Sequence, residues 1–492
     1  MGGIRNMELY RKTPLMGWAS WNCYRTDISE EKIKAAAKAL KDTGLAECGY
    51  EYVNIDDGFF GGRAEDGTLK VNTRRFPNGM APVAEYIHSL GLKAGIYAEG
   101  GDNTCGFYYD NEGTNGDGVG LYGHEEQDLK MYLIDWDYDF IKVDWCGGVR
   151  LGLDEEEQYT KIADIIDRLR HEYGKCLVYN ICRWQFPGVW ATEIADSWRT
   201  GADIEPVFSS VIHQLDNIKP LHRFCRPTHV NDLDMMQIGN GMPYEDEKTH
   251  FIMWCMMSTP LMIGCDPKSL SGKTLELLKN RELIAINQDA ACVQAFPVWE
   301  KKNGDTIAAE VWVKPLANPS ERAVALLNRS EEEQEISFAL SDAGLFGINK
   351  IRDIYAGEDV EVCDTIAVTL KPHETRIFKI TADRAENIGN KQADMDGFTA
   401  DKVRKLTRDE ANKIVAEGGI EVDVRTREEF EDGHTPGAMN LPYTDIHGAA
   451  KSHLTDKNRP TVLFCGGGKR SLIAASSLYY LGYKKLFYTD EM

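Results

Sequence analysis

The sequence predicts an α/β chain in three units: a (β/α)8 barrel, an antiparallel β-sandwich and a small C-terminal α/β domain. Three observations carry this. Eight apolar, strand-type runs recur between Met16 and Gly264 with helical stretches between them, and such alternation builds a parallel sheet. After residue 292 the runs become short, β-type and separated by polar turns. Beyond a polar stretch at 383–397, buried-type strands and a helix return. At 492 residues the chain is longer than one hydrophobic core usually serves, so several domains are expected.

The eight runs are Met16 to Trp21, Tyr52 to Asp57, Lys93 to Ala98, Phe140 to Trp145, Leu177 to Cys182, Ser197 to Asp203, Phe224 to Val230 and Ser258 to Gly264. Between the first two, Ser29 supplies a helix cap, Glu30 and Glu31 favour the first turn, Ile33, Ala37 and Leu40 form an apolar stripe, and Gly44 stops the helix. The barrel is expected over 7–292, closing near Gln288 and Asp289. The sandwich follows over 293–382 with strands at 307–313, 323–327 and 364–370. A linker at 383–397 leads to a unit at 398–492, with strands at Val422 to Val424 and Thr461 to Phe464 and a helix from Arg470 to Leu481.

Bulk properties narrow the function. A net charge of −22 repels phosphate backbones and anionic membrane surfaces, so neither nucleic acid nor membrane is an expected partner. The most apolar stretch, Phe251 to Gly264, is too short to span a bilayer and reads as a buried helix followed by a strand. Met1 to Lys12 lacks the apolar core of a secretion signal, so a cytoplasmic location is expected. The 12 cysteines are scattered without paired metal-site spacing, which suits reduced core residues and no metal.

The chemistry concentrates at strand ends. Asp144 closes the run Phe140 to Asp144, directly before Trp145, Cys146 and the glycine pair Gly147-Gly148. In a parallel barrel the C-terminal strand ends converge on the active site. Asp203 follows Trp198-Arg199-Thr200 in a similar setting. Two carboxylates in one pocket can act as nucleophile and acid/base on a glycosidic bond, and retention of configuration needs them about 5–5.5 Å apart. Lys142, on the same strand face as Asp144, would hold that carboxylate ionised. Asp203 would need a drier site to keep a proton, whereas Arg199 would ionise it, so charge alone leaves the roles open. Singly, each aspartate reads equally well as a strand-end cap or an ion-pair partner. The balance shifts because Trp21, Asp56, Asp57, Tyr97, Lys142, Trp184, Arg199, Asp232 and Asp234 also fall at strand ends. Carboxylates accepting hydroxyl hydrogen bonds, beside aromatic faces, suit a sugar.

Seven segments then carry a resemblance: Thr13 to Trp18, Tyr52 to Gly58, Gly95 to Tyr97, Ile141 to Asp144, Trp198 to Ile204, Asn231 to Met235 and Ala285 to Asp289. In order and spacing they resemble family 27 glycoside hydrolases, the α-galactosidases and α-N-acetylgalactosaminidases, and the sandwich resembles that family's C-terminal domain. The resemblance implies a retaining double displacement with Asp144 as nucleophile and Asp203 as acid/base, without metal or organic cofactor. It further implies that Asp56 and Asp57 hold the O4 and O6 side of a galactosyl unit, Lys142 the O3 and O4 region, and Arg199 and Asp234 the neighbourhood of O2. Trp21 and Tyr97 would be walls. Having both Asp56 and Asp57 favours a hexose over a pentopyranose. Cys105 and Cys146 match positions disulfide-bonded in many members, and bonded and reduced forms both stay open. The loop that reads the 2-position departs from the family's Cys-Glu-Trp: here it is Cys182-Arg183-Trp184. The small Ser and Ala pair of acetamido-accepting members is not visible, which favours galactose. For Arg183 a surface ion pair is the commoner fate, with a substrate contact as the alternative.

At the C-terminus, Val422 to Arg425, Glu428 to Phe430, Gly433 to Pro442 and Phe464 to Ser471 resemble a single rhodanese-like domain. The resemblance implies Cys465 as a sulfur carrier, its thiolate favoured by loop N–H groups and by Lys469 and Arg470. Its sulfur donor and acceptor are not readable. The expectation is therefore an exo-α-galactosidase acting on small α-galactosides, with a second, thiosulfate-type sulfurtransferase activity and a homo-oligomer left open. The alternatives are an α-N-acetylgalactosaminidase, or a sulfurtransferase whose barrel is only a sugar-binding scaffold.

Overall fold

The structure, a computed structural model, describes residues 10–304, 306–386, 388 and 398–492. Eight short parallel strands form the first unit: β1 (Met16–Ala19), β2 (Tyr52–Ile55), β3 (Lys93–Glu99), β4 (Phe140–Asp144), β5 (Val178–Ile181), β6 (Ser197–Arg199), β7 (Val230–Asp232) and β8 (Leu261–Ile263). They pair in the order β8-β1-β2-β3-β4-β5-β6-β7. A parallel bridge between Met236, just after β7, and Ile263 in β8 brings the two ends together. Gln288 adds a side-chain clasp: its Nε2 donates to the Pro14 carbonyl at 3.0 Å and its Oε1 accepts from Thr13 Oγ1 at 2.8 Å.

Local sequence explains the main helices. α1 (Glu30–Asp42) begins where Ser29 Oγ accepts the Lys32 N–H, and it buries Ile33, Ala36, Ala37 and Leu40. α2 (Ala81–Ser89) buries Val83, Ala84 and Ile87. α3 (Glu155–Tyr173) is capped by Asp154, carries three glutamates in its first turn and stops at Gly174, whose φ of 60° suits glycine. α4 (Phe208–Ile218) precedes β7, and α5 (Tyr244–Met257) is buried along nearly its whole length. Among the described residues no helix is long and apolar enough to cross a membrane.

One expected strand is displaced. The run Phe224 to Val230 does not form it: Lys219–Phe224 is a 3-10 helix, and the strand is Val230–Asp232. Pro220 and Pro227 remove ladder donors. Arg226 and His229 then bridge across a tight turn in which Thr228 takes φ 73°. The first strand is also shorter than expected, and Trp21 opens a helical turn, Trp21–Tyr24.

The sandwich has a six-stranded antiparallel sheet and a two-stranded one. Its strands are β9 (Phe296–Asn303), β10 (Thr306–Pro315), β11 (Glu321–Asn328), β12 (Gln334–Ala339), β13 (Leu345–Asp353), β14 (Glu358–Val360), β15 (Thr365–Leu370) and β16 (Thr375–Ala385). The larger sheet runs β9-β10-β11-β16-β13-β14, and β12 pairs with β15. It docks on the barrel through a buried lysine: Lys314 Nζ donates to Ser258 Oγ at 2.5 Å and to the Cys255 carbonyl at 3.3 Å, at the C-terminal end of α5. Burial pushes the Lys314 ammonium down to about 8. Of the expected linker, Asp383 to Ala385 belong to β16, and most of the remainder lies outside the described residues.

The C-terminal unit is a five-stranded parallel sheet of β17 (Arg404–Lys405), β18 (Ile420–Asp423), β19 (Met439–Asn440), β20 (Thr461–Phe464) and β21 (Leu486–Thr489), ordered β17-β21-β20-β18-β19. α6 (Lys469–Tyr480) follows the Cys465 loop and packs on the 3-10 helix Lys219–Phe224 of the barrel. At that junction Phe398 sits between Phe224 and Tyr479, with ring centroids 6.5 and 5.7 Å away. Arg223 Nη2 donates to His447 Nδ1 at 2.6 Å, which requires that nitrogen to carry a lone pair. His222 donates from Nδ1 to the Lys219 carbonyl at 2.9 Å.

Two outcomes follow. Gly101 lies so close to the Gly147-Gly148 backbone that a Cβ on it would stand 2.1 Å from the Gly148 nitrogen. Gly101→Ala must therefore move backbone, and a loss of about 1–3 kcal/mol is expected, read as a lowered denaturation midpoint. At the junction, burial pushes His222 well below its ordinary value and His447 down to about 3, with Arg223 adding to both. A base depressed in the docked state is not penalised above its free value near 6.5; docking weakens as pH falls from there, by about 1.4 kcal/mol per unit for each imidazole. Hydrogen exchange of 219–224 and 469–480 should rise together between pH 6 and 4 while β1–β5 stay protected. Unchanged protection at pH 4 would contradict this.

Candidate active site

At the C-terminal ends of the barrel strands lies a cavity of about 420 Å³ lined by Trp21, Arg25, Asp56, Cys105, Tyr109, Lys142, Asp144, Cys146, Cys182, Trp184, Arg199, Ala202 and Asp203. Register assembles it. Glu99 pairs with Asp144 across β3 and β4, Lys142 with Asn180 across β4 and β5, and Arg199 with Asp232 across β6 and β7, so these polar groups end at the same level.

On the floor, Lys142 Nζ meets Asp56 Oδ2 at 2.9 Å. Asp144 is buried, with 4% of its surface exposed, and accepts the Trp145 N–H at 2.9 Å. Burial pushes its carboxyl up to about 6, against the pull of Lys142. Arg199 Nη2 stands 2.8 Å from Asp234 Oδ2 and 3.1 Å from Asp203 Oδ1. Burial pushes Asp234 up to about 6 despite Arg199. For Asp203, burial raises the carboxyl but Arg199 and Lys142 outweigh it, and the group sits below the ordinary carboxylate range. Its side chain is 59% exposed at the cavity mouth.

This reverses the electrostatic expectation from sequence. Lys142 does not hold Asp144 at low pKa, because it already pairs with Asp56 while Asp144 is almost dry. Asp203 is not in a drier site; it is the wetter carboxylate of the two and the one Arg199 ionises.

Other expected contacts redistribute. Asp57 is 1% exposed, and its carboxylate accepts the N–H groups of Gly58 and Gly106, each at 2.7 Å. It therefore fixes the loop carrying Cys105 instead of facing the cavity, and burial pushes it up to about 7. Tyr97 is likewise 1% exposed; its ring lies 5.5 Å from Lys142 Nζ, and it supports the lysine from behind. Asp234 sits one layer deeper, in a small void with Asn180, Asp232 and Met235. Trp21, Cys182 and Trp184 reach the wall as expected. Cys105 and Cys146 are joined as a disulfide at the cavity wall beside Asp144.

Three residues escaped the sequence reading. Glu99 is fully buried and accepts the N–H groups of Gly101 at 2.8 Å, Cys146 at 2.9 Å and Gly148 at 3.3 Å, which ties the loops after β3 and β4 together. Its position at a strand end before Gly100-Gly101 was the available signal. Arg25, held by Asp110 at 2.6 and 2.9 Å and lying 4.6 Å over the Trp21 ring, forms the rim with the exposed Tyr109. Nothing in their spacing marks either one.

In the C-terminal domain Cys465 is buried and receives the Ser471 N–H at 3.4 Å. The expected pair of basic neighbours is divided. Arg470 makes a two-point contact with Glu429 at 2.6 and 2.9 Å, holding that carboxylate at about 2, while burial lowers Lys469, which faces Glu155 and Arg183 of the barrel.

The family model for alpha galactosidase A matches residues 13–289, that for the alpha galactosidase C-terminal beta sandwich domain matches 306–380, and that for the rhodanese-like domain matches 407–491. The chain is 36% identical over 376 residues to an alpha-galactosidase of Oryza sativa subsp. japonica, covering 75% of this chain and 85% of that one. It is 38% identical over 319 residues to a protein of Dictyostelium discoideum named as a probable alpha-galactosidase, covering 64% and 77%. Among solved structures, alpha-galactosidase I from Mortierella vinacea superposes with a TM-score of 0.68 at 26% identity, covering 78% of this chain and all of that one. With its barrel and sandwich both matched and its strand-end carboxylates gathered in one cavity, the chain belongs to the α-galactosidase family, carrying a rhodanese-like domain at its C-terminus.

Proposed function

We propose that the cavity removes terminal α-linked galactose from small galactosides with retention of configuration. Asp144 attacks C1 to form a glycosyl ester while the C1–O bond to the leaving group breaks and Asp203 gives that oxygen its proton. Asp203 then takes a proton from water, which displaces Asp144. The observation that carries the reading is one sugar-sized cavity holding two carboxylates of opposite character: a dry one at the base and a wet, arginine-bound one at the mouth.

The charge pattern of the free site fits this in an unexpected way. A sugar entering the cavity displaces water from Asp203, and desolvation favours its protonated form. Asp144 must lose its proton to attack, and Lys142 stabilises the resulting anion. Lys142 and Asp56 offer a donor and acceptors to the sugar hydroxyls at the closed end, which supports a hexose carrying a hydroxymethyl group. Around the 2-position, Cys182 and Trp184 occupy the wall, and Arg199 Nη1 lies 3.9 Å from Cys182 Sγ. Such bulk leaves a hydroxyl easier to house than an acetamide, so galactose is preferred to N-acetylgalactosamine. Sulfurtransfer as the chief activity is the weaker reading, since it leaves this cavity without a task.

Asp144→Asn should lower kcat on an aryl α-galactoside by on the order of 10⁴-fold or more, while Cys465→Ser leaves it unchanged; near-normal turnover by the asparagine variant would remove the mechanism. Asp203→Asn should cost about 10²–10⁴-fold on an unactivated disaccharide and far less on a nitrophenyl galactoside, whose leaving group needs no proton.

The pH profile of kcat/KM is expected to be bell-shaped on the acid side of neutrality. Its upper limb should lie near 6, where the raised Asp144 titrates, and its lower limb below the ordinary carboxylate range, where Asp203 titrates. The two interact, so the limbs belong to the pair. Activity that stays flat from pH 7 to 9 would contradict the assignment.

A further inference from the structure

The loop residue that departs from the family pattern, Arg183, does not enter the cavity. Its Nε donates to Glu155 Oε2 at 3.2 Å, and its guanidinium carbon lies 5.3 Å over the ring of Trp184, which lines the cavity. Glu155 is the first residue of α3, and its second oxygen, Oε1, is buried with no hydrogen-bond partner among the described residues. The charged groups that face Lys469 are Glu155 and Arg183. Lys469 opens α6, four residues after Cys465 in the loop of the rhodanese-like domain. The same loop is propped by Tyr488, whose ring approaches Gly468 and which faces Glu156.

We propose that the Cys465 loop positions the rim of the galactoside cavity in cis: Lys469 steadies Glu155, Glu155 holds Arg183, and Arg183 braces Trp184. This rests on the α-galactosidase reading, because the rim matters through the leaving group. The carboxylate assigned to protonate that group, Asp203, is exposed at the mouth, whereas Asp56, Lys142 and Asp144 lie at the base. A galactosyl unit therefore fills the base and its leaving group meets the rim, where Trp184 stands. Arg183 reaches Glu155 through Nε alone, a single contact and not a two-point fork, so its orientation depends on where Glu155 is held. Lys469 supplies the second cation beside that carboxylate. Arg183 and Lys469 are positioning residues in this scheme, and neither touches the reacting atoms.

The test compares a substrate with a sugar leaving group, raffinose, with a nitrophenyl α-galactoside, using the full chain. Lys469→Met should raise KM for raffinose about 3–10-fold, the size of a part-buried ion-pair contribution, with kcat unchanged and the nitrophenyl substrate unaffected. Lys469→Arg should restore the wild-type value. Arg183→Leu should give a similar rise, and the double variant Lys469→Met with Arg183→Leu no more than either single change. Raffinose binding to the Asp144→Asn form, measured by calorimetry with and without Lys469→Met, should show the same ratio without turnover. An unchanged raffinose KM in Lys469→Met, an equal rise for both substrates, or additive effects in the double variant would overturn the inference while leaving the α-galactosidase reading intact. A wild-type chain that neither binds nor hydrolyses an α-galactoside would overturn both.

Discussion

The constraint on which this molecule depends is charge compensation at the dry end of the barrel. Asp56, Glu99, Asp144 and Asp234 are all buried there, and only Lys142 and Arg199 stand among them as cations. Burying an uncompensated carboxylate costs several kcal/mol, so a site of this kind persists only if each anion is paired, hydrogen-bonded or protonated. The four use different solutions. Asp56 takes Lys142 and Asp234 takes Arg199. Glu99 takes three backbone N–H groups and is pushed well above its ordinary value, with burial and then Asp144 as the causes. Asp144 receives one N–H and shares the more distant field of Lys142. It is the least compensated of the set, which is the condition a nucleophile requires: an anion not already satisfied by its surroundings.

The same constraint explains why the loops are built as they are. Glu99 can collect N–H groups from Gly101, Cys146 and Gly148 only if the turns after β3 and β4 nearly touch, and side chains at Gly101 or Gly148 would forbid that. A Cβ on Gly148 would stand 2.6 Å from the Trp145 ring. The glycines that look in sequence like a simple loop signal are thus a packing requirement. The Cys105–Cys146 disulfide closes the same wall from the other side, while Asp57 holds the Cys105 segment through the Gly106 N–H.

Much of the architecture was legible because it rests on local periodicity. The alternation of apolar runs and amphipathic helices gave the parallel barrel, and Ser29 with Glu30 and Glu31 marked the start of α1 within a residue of its observed position. The strand expected at Phe224 to Val230 failed because apolar content there serves the packing of a 3-10 helix against the C-terminal domain, a tertiary use that composition does not reveal. In the cavity, residue identity was legible and orientation was not. Asp57 and Tyr97 sit at the expected strand ends yet spend their polar groups on the scaffold, since which way a side chain turns depends on loops far away in sequence. Reading charge from neighbours two residues away misassigned Asp144 and Asp203 for a related reason. Lys142 is adjacent to Asp144 along the strand, but its partner in space comes from β2's end, 86 residues earlier.

The placement of the third domain adds a step that neither half of the chain implies alone. A domain attached only by a linker would leave the cavity rim to solvent. Here α6 is packed on the barrel through Phe398, Phe224 and Tyr479, an apolar contact that fixes position without demanding a particular charge state. Charged groups at the edge of that contact are then free to take on orientation: Arg470 is spent inside its own domain on Glu429, and Lys469 is left to face the barrel. That division also bears on the cysteine. With Arg470 neutralised and Lys469 turned toward Glu155, Cys465 has the Ser471 N–H as its described hydrogen-bond donor, so the loop's positive charge is shared between a thiol and a glycosidase wall. Any anion that settled at Cys465 would compete with Glu155 for the same ammonium group, and by linkage whatever orders the cavity rim must alter the affinity of that loop for the anion by the same factor.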